Sequence, residues 1–267
     1  MPEGTEKIAI HRVTREGKQA AEDLVVTELP LTIMLNGQEL VTLLCSAVDL
    51  KHLAIGFLAS EGLLKTRDDI KRVTVDQRKS VVRIETIAAG IEEPEAIFKR
   101  IITPGCGRGA SFYSAADSGL EKATSELSVT AGAIFDLMKT FQHHSEVFLT
   151  TGGVHSAALC NEKDVVIFSE DIGRHNAIDR IFGRCFMEDI DTTDGIIVTS
   201  GRVSSEIVVK IARRRVPMLV SKSAPTSTAV KMAGDLGITL AGFVRGNRMN
   251  VYTHDWRIQP DAGRANP

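Results

Sequence analysis

Apolar positions along the chain change period several times, and each change marks an element. In DLVVTELPLTIMLNGQELVTLLCS (23–46), β-branched runs are interrupted by Asn36 and Gly37, the dipeptide that favours a tight antiparallel hairpin. AVDLKHLAIGFLASEGLL (47–64) shifts to helical spacing, with Leu50, Leu53, Ala54, Phe57 and Leu58 on one face, Asp49 placed to cap its start and Gly62 its end. VTVDQRKSVVRIETI predicts a strand pair turning at Gln77–Ser80. Residues 99–119 are rich in glycine, proline and serine and follow neither period.

From residue 131 the pattern becomes α/β. AIFDLMKTFQ predicts a helix, EVFLTTGGVHSAALC and DVVIFSED predict strand material about an NEKD turn, and IDRIFGRCFM a helix. GIIVTS and VPMLVSK read as buried strands, SSEIVVKIARR and TSTAVKMAGDLG as helices, ITLAGFV and NVYTH as closing strands. The resulting division is a flexible N-terminus (1–18), a smaller mixed α/β region (19–98), a loop and linker (99–130), an α/β domain (131–257) and a flexible tail (258–267). There is no internal repeat.

Composition adds limits. The 267 residues are 43% hydrophobic and 25% charged with a formal charge of −2, ordinary for a globular protein and no sign of nucleic-acid binding. Without a secretory run or an 18-residue apolar span, the expectation is a cytoplasmic protein off the membrane. Cys45, Cys106, Cys160 and Cys185 form no CxxC pair and there is no HExxH, so free thiols are expected and structural zinc is not.

PGCGRG (104–109) is the sharpest site candidate. Gly105 and Gly107 leave Cys106 unshielded, and Arg108, with Lys99 and Arg100, would favour a thiolate; a small buried cysteine in a turn fits the same residues. Cys45, Cys160 and Cys185 sit in apolar patterns and read as core. SEDIGRHNAID brings Asp171, Arg174, His175 and Asp179 to a strand-end loop, where they serve a ligand or merely cap a helix. TTGGVHSAA offers Gly152, Gly153 and His155. Arg202, Lys222 and Ser223 lie in two strand–loop–helix passages, where Ser204, Ser205, Thr226 and Ser227 either cap helices or help to hold an anion. In FVRGNR, Arg245 and Arg248 flank a Gly246–Asn247 turn and can clamp phosphate or face solvent.

Taken in order, GFLASEGL, PGCGRG, TGGVHSAA, SEDIGRHNAID, TSGRVSSE, SKSAPT and GFVRGNRMNVYTH resemble the formate dehydrogenase accessory sulfurtransferase family, the FdhD-type proteins, over about residues 22–257. The resemblance implies a cytidine deaminase-like layered α/β domain with a smaller mixed region. It implies a sulfur carrier that takes persulfide sulfur from a cysteine desulfurase onto Cys106. The acceptor implied is a molybdenum or tungsten bis-molybdopterin guanine dinucleotide, and the client is the catalytic subunit of formate dehydrogenase. The cofactor-binding stretch falls on Phe243, Val244, Arg245, Gly246, Asn247 and Arg248; Arg202, Lys222, Ser223, Arg174 and His175 are grouped with it, and a homodimer is expected. Many relatives carry CxxC in the cysteine loop, whereas here Gly109 stands at the second position, which removes two-thiol exchange. The HxE and PCxxC ligands of zinc deaminases are absent, so the fold resemblance carries no deaminase activity. The alternative to sulfur transfer is a cofactor-binding chaperone without it.

Overall fold

A computed structural model of the chain describes residues 1–87 and 119–261. The architecture is mixed α/β, with a six-stranded and a four-stranded sheet joined through a pair of helices, and with β7 (Val129–Thr130) pairing in parallel with β14 (Ile258–Gln259) as a separate two-stranded sheet.

The larger sheet comprises β8 (His155–Cys160), β9 (Val165–Asp171), β10 (Ile196–Thr199), β11 (Met218–Ser221), β12 (Thr239–Arg245) and β13 (Arg248–Thr253), in the order β13-β12-β11-β10-β8-β9. Strands β10, β11 and β12 are parallel and the outer pairings antiparallel. IIVT and MLVS are buried along their whole length because helices cover both faces, which is why they read as unbroken apolar runs. On one face Leu159, Ile197, Leu219 and Leu240 meet α4 (Arg174–Met187), α5 (Ser205–Arg213) and α6 (Ser227–Asp235). On the other, Ala158, Val198 and Val220 meet Ile134, Leu137 and Phe141 of α2 (Ala131–His144).

The smaller sheet, in the order β4-β3-β6-β5, contains β3 (Glu28–Leu35), β4 (Gln38–Ser46), β5 (Ile70–Asp76) and β6 (Val81–Thr86). Asn36 and Gly37 both adopt positive φ (50° and 85°), as the hairpin signal requires. Helix α1 (Leu50–Ser60) packs on this sheet with one side and on α4 with the other, so burial extends past the expected face to Ile55, Gly56, Ala59 and Ser60. The α1–α4 crossing is close because a glycine stands on each side. A Cβ on Gly56 would fall inside the Asp179 carbonyl, and one on Gly183 inside that of His52. Beside this seam Lys210, 3% exposed, donates to both Asp179 carboxylate oxygens at 3.0 Å and to Glu61 Oε1 at 3.2 Å. Burial pulls the ammonium pKa down, and the carboxylates, Asp179 foremost, more than reverse it.

Three sequence expectations are corrected. The amino terminus does not fray: β1 (Thr5–Thr14) and β2 (Gly17–Val26) form a hairpin of ten paired positions. Its polar composition reflects exposure on both faces, not absence of order. EVFLTT is not strand but the short helix α3 (Glu146–Thr151), because the Glu170 carboxylate accepts the Val147 and Phe148 N–H groups at 3.1 and 3.2 Å and Gly152 ends the turn at φ 67°. Asp49 precedes α1 in a left-handed conformation and makes no cap bond; its carboxylate lies 2.7 Å from His52 Nδ1 instead.

Candidate functional site

The carboxyl ends of β10, β11 and β12 lie on one edge of the large sheet, and the antiparallel β8 brings its amino end, His155, to the same edge. The strand-end loops are laced together. Val203 N–H donates to Ala224 O at 3.1 Å, Thr226 N–H to Val203 O at 2.9 Å, Ser221 Oγ to Gly201 O at 2.8 Å and Lys222 N–H to Thr199 O at 3.0 Å. Thr226 caps α6 by accepting from Ala229 N–H, whereas Ser204, at the start of α5, makes no side-chain cap.

A cavity of about 540 Å³ opens on this edge. Phe141, Phe148, Leu149, Val154 and Ile172 give it apolar surface; Ser145, His155, Ser156, Ser200, Lys222, Ser223 and Arg245 give it polar surface. This combination of apolar lining with a few convergent polar groups suits a small ligand. A larger and shallower recess, lined by Glu126, Asn161, Glu162, Lys163 and Asp194, lies at the other end of β8 and holds none of the candidate groups.

Lys222, Ser223 and Arg245 therefore meet in one cavity with His155, as their separate motifs allowed. Arg245 Nε donates to Lys222 O at 3.4 Å, which holds the guanidinium over the loop. His155 Nδ1 lies 3.5 Å from Ser200 Oγ. Burial, and then the neighbouring Arg174 and His175, keep the His155 pKa below the ordinary imidazole value, so the ring is neutral near pH 7.

Arg174, His175 and Arg202 are grouped with Ser204 and Glu206 around the next loop. Arg174 packs so closely on Gly201 that a Cβ there would stand 2.8 Å from Arg174 Cβ. His175 Nε2 lies 3.1 Å from Glu206 Oε2, and this contact is the main reason the Glu206 pKa is lowered. Among the described residues the neighbour of the His175 ring is thus a carboxylate. Burial and then Arg202 lower the Arg174 pKa. Among the described residues, Arg174 Nε and Ser204 Oγ are buried with no hydrogen-bond partner.

Other candidates fall elsewhere. Val244 is fully buried in the core. Phe243 stands at a bulge with φ 53° and is 39% exposed, a strained backbone presenting an aromatic ring. Gly246 and Asn247 make the β12–β13 turn, across which Arg245 pairs with Arg248. Asp171 is committed to the fold: its carboxylate meets Arg180 at 2.6 Å and accepts Ser46 N–H, Gly173 N–H and Asn176 Nδ2. Cys106, with Arg108, Lys99 and Arg100, lies outside the described residues. Among the described residues no group of three His, Cys, Asp or Glu side chains is placed to hold a metal, and no helix is long and apolar enough to cross a membrane.

Sequence reasoning passed over Phe148, Leu149, Glu170 and Glu206. Ser145 and Glu146 before an apolar pair, with Gly152 behind, was the available signal for α3. The role of Glu170 comes from a partner 22 to 23 residues away and had no local mark.

The three described cysteines are buried. Burial raises their thiols from 9.0 to about 12 for Cys45, about 12 for Cys160 and about 11 for Cys185. Iodoacetamide at pH 8 is expected to leave all three unmodified in native protein and to label them in urea, as peptide mass mapping will show. A thiol raised in the fold stabilises it fully below the unfolded pKa and ceases to do so as pH climbs through the folded value. Stability should therefore decline between pH 9 and 12.

A model of the FdhD/NarQ family matches residues 26–259. The chain is 43% identical over 259 residues to the sulfur carrier protein FdhD of Bacillus pumilus, covering 96% of this chain and 98% of that one. It is 44% identical over 239 residues to that of Bacillus subtilis, covering 89% and 91%. A crystal structure described as that of a candidate formate dehydrogenase accessory protein from Desulfotalea psychrophila superposes with a TM-score of 0.78 at 23% identity, over 95% of this chain and 99% of that one, which establishes a shared fold. Motif order, extent of match and identity agree, and the chain belongs to the FdhD/NarQ family.

Proposed function

We propose that this chain is a sulfur carrier acting through a persulfide on Cys106. A cysteine desulfurase supplies the sulfur, and the acceptor is the metal centre of a bis-molybdopterin guanine dinucleotide destined for formate dehydrogenase. The Cys106 thiolate attacks the terminal sulfur of the donor persulfide, the donor S–S bond breaks, and the donor leaves as a thiolate. Curated relatives named as sulfur carriers support this reading along nearly their whole length.

The observation that carries the acceptor half is the meeting of Lys222, Ser223 and Arg245 in one cavity beside the Arg174 and Arg202 cations. Cations at the carboxyl edge of parallel strands suit the phosphates of a dinucleotide. In this reading Phe243 and Arg248 extend the binding edge, Gly246 and Asn247 shape its turn, and Val244 supports it from the core. We read the layered large sheet as cytidine deaminase-like, with residues 131–257 as that domain, 19–98 as the smaller region and 99–130 as the cysteine loop and linker. A homodimer in the cytoplasm completes the proposal.

The test is transfer of labelled sulfur from purified cysteine desulfurase, followed by mapping of the modified residue. One additional sulfur on Cys106, with none on Cys45, Cys160 or Cys185, is the expected result. A chain that binds cofactor yet never acquires sulfur is a chaperone, and the carrier reading fails.

A further inference from the structure

We propose that α3 is an aromatic lip of the cavity, on which Phe148, flanked by Leu149, stacks the planar ring of an anionic heterocyclic ligand, and that Glu170 is the residue that positions it. This rests on the nucleotide reading of the cavity and assigns the part of the ligand that the cations leave unaccounted for.

Phe148 is 44% and Leu149 67% exposed, and both line the cavity. Phe141, Val154 and Ile172 continue the apolar surface inward. Lys222 and Arg245 in the same cavity call for negative charge, whereas five apolar side chains call for a flat or greasy body. A ring bearing an anionic group satisfies both, and a volume of about 540 Å³ is of small-molecule size. An aromatic face receives any heterocycle by stacking, with little demand on its hydrogen-bond pattern.

The lip is built to stay in place. Six residues are too few to hold a helix unaided, and α3 is tied at both ends. Glu170, on β9, accepts the Val147 and Phe148 N–H groups at 3.1 and 3.2 Å and the Ser156 hydroxyl at 3.4 Å; Ser156 in turn meets Ser145 Oγ at 2.7 Å. At the far end Gly152 N–H donates to Phe148 O at 2.8 Å, and Gly153 abuts Val26 of the hairpin so closely that a Cβ would stand 3.0 Å from its Cγ2. A tethered single turn whose apolar side chains still face outward is a surface held ready for contact.

Phe148→Trp makes the contact visible, because the chain's one tryptophan, Trp256, lies at the other end of β12, stacked 4.2 Å from Arg257. GDP is expected to quench the added indole saturably and inorganic pyrophosphate is not. Phe148→Ala and Phe148→Leu should each weaken GDP binding about tenfold while leaving pyrophosphate affinity unchanged. Glu170→Gln should weaken GDP in the same sense, and it should have no further effect in the Phe148→Ala background, a non-additivity that general loss of structure does not produce. Unchanged GDP affinity in both Phe148 variants, no quench by GDP, or equal quench by pyrophosphate overturns the lip. Labelled-sulfur uptake on Cys106, scored separately in the unsubstituted protein, tests the carrier reading by itself, so the lip can fail while that reading stands, and the reverse.

Discussion

Cys106→Ser is expected to reduce formate dehydrogenase maturation to the level of cells that lack the protein, with GDP binding unchanged. A hydroxyl at this position neither ionises near neutral pH nor attacks a persulfide sulfur, so the substitution removes the carrier and nothing else. No other thiol can take over. The PGCGRG loop holds a single cysteine, and Cys45, Cys160 and Cys185 are buried with pKa values raised to about 12, 12 and 11. The loss should therefore exceed about a hundredfold, beyond what weakened positioning alone produces. Formate dehydrogenase activity in extracts of a complemented deletion strain measures it. Normal maturation by the serine variant would leave a binding protein and no sulfur carrier.

The second large effect concerns the seam between α1 and α4. Gly183→Ala is expected to cost at least about 3 kcal/mol, or to yield no folded protein, as urea unfolding will show. The added methyl falls inside the His52 carbonyl, and Gly56 makes the reciprocal approach to Asp179, so relief requires moving one whole helix backbone away from the other. Each helix is also the floor of a sheet: α1 carries the four-stranded one and α4 the six-stranded one. Gly234→Ala is the control. It lies within α6, its nearest contact would be Thr253 Cγ2 at 3.6 Å, and the exchange should be neutral or stabilising by about 1 kcal/mol. If the two substitutions behave alike, close approach is not what holds the seam.

Those features declared by local pattern were legible in the sequence. The Asn36–Gly37 hairpin, the strand pair turning at Gln77–Ser80 and the alternating strands and helices from Ile178 onward all follow from spacing and turn chemistry within a dozen residues. Features decided by distant partners were not. EVFLTT has strand-like composition and becomes helix because a carboxylate on β9 accepts its N–H groups. The hairpin of residues 5–26 is polar on both faces and so has no amphipathic signature. The candidate site divides in the same way. Arg174, Arg202, Lys222 and Arg245 were visible as cations, with the Ser223 hydroxyl beside Lys222, but which of them share a cavity depends on strand order, which no motif encodes. Asp171 had the residue type of a catalytic carboxylate and proves to be a fastener among β4, β9 and α4.

The buried pair of Lys210 and Asp179, with the partly exposed Glu61 beside it, also constrains how the sequence can drift. Losing the ammonium alone strands the Asp179 carboxylate in the interior, and losing Asp179 alone leaves the buried ammonium only its outer partner Glu61, each a step that selection should disfavour. Related chains should accordingly either keep the set intact or have exchanged its members together for apolar side chains of similar volume, with few surviving lineages caught halfway.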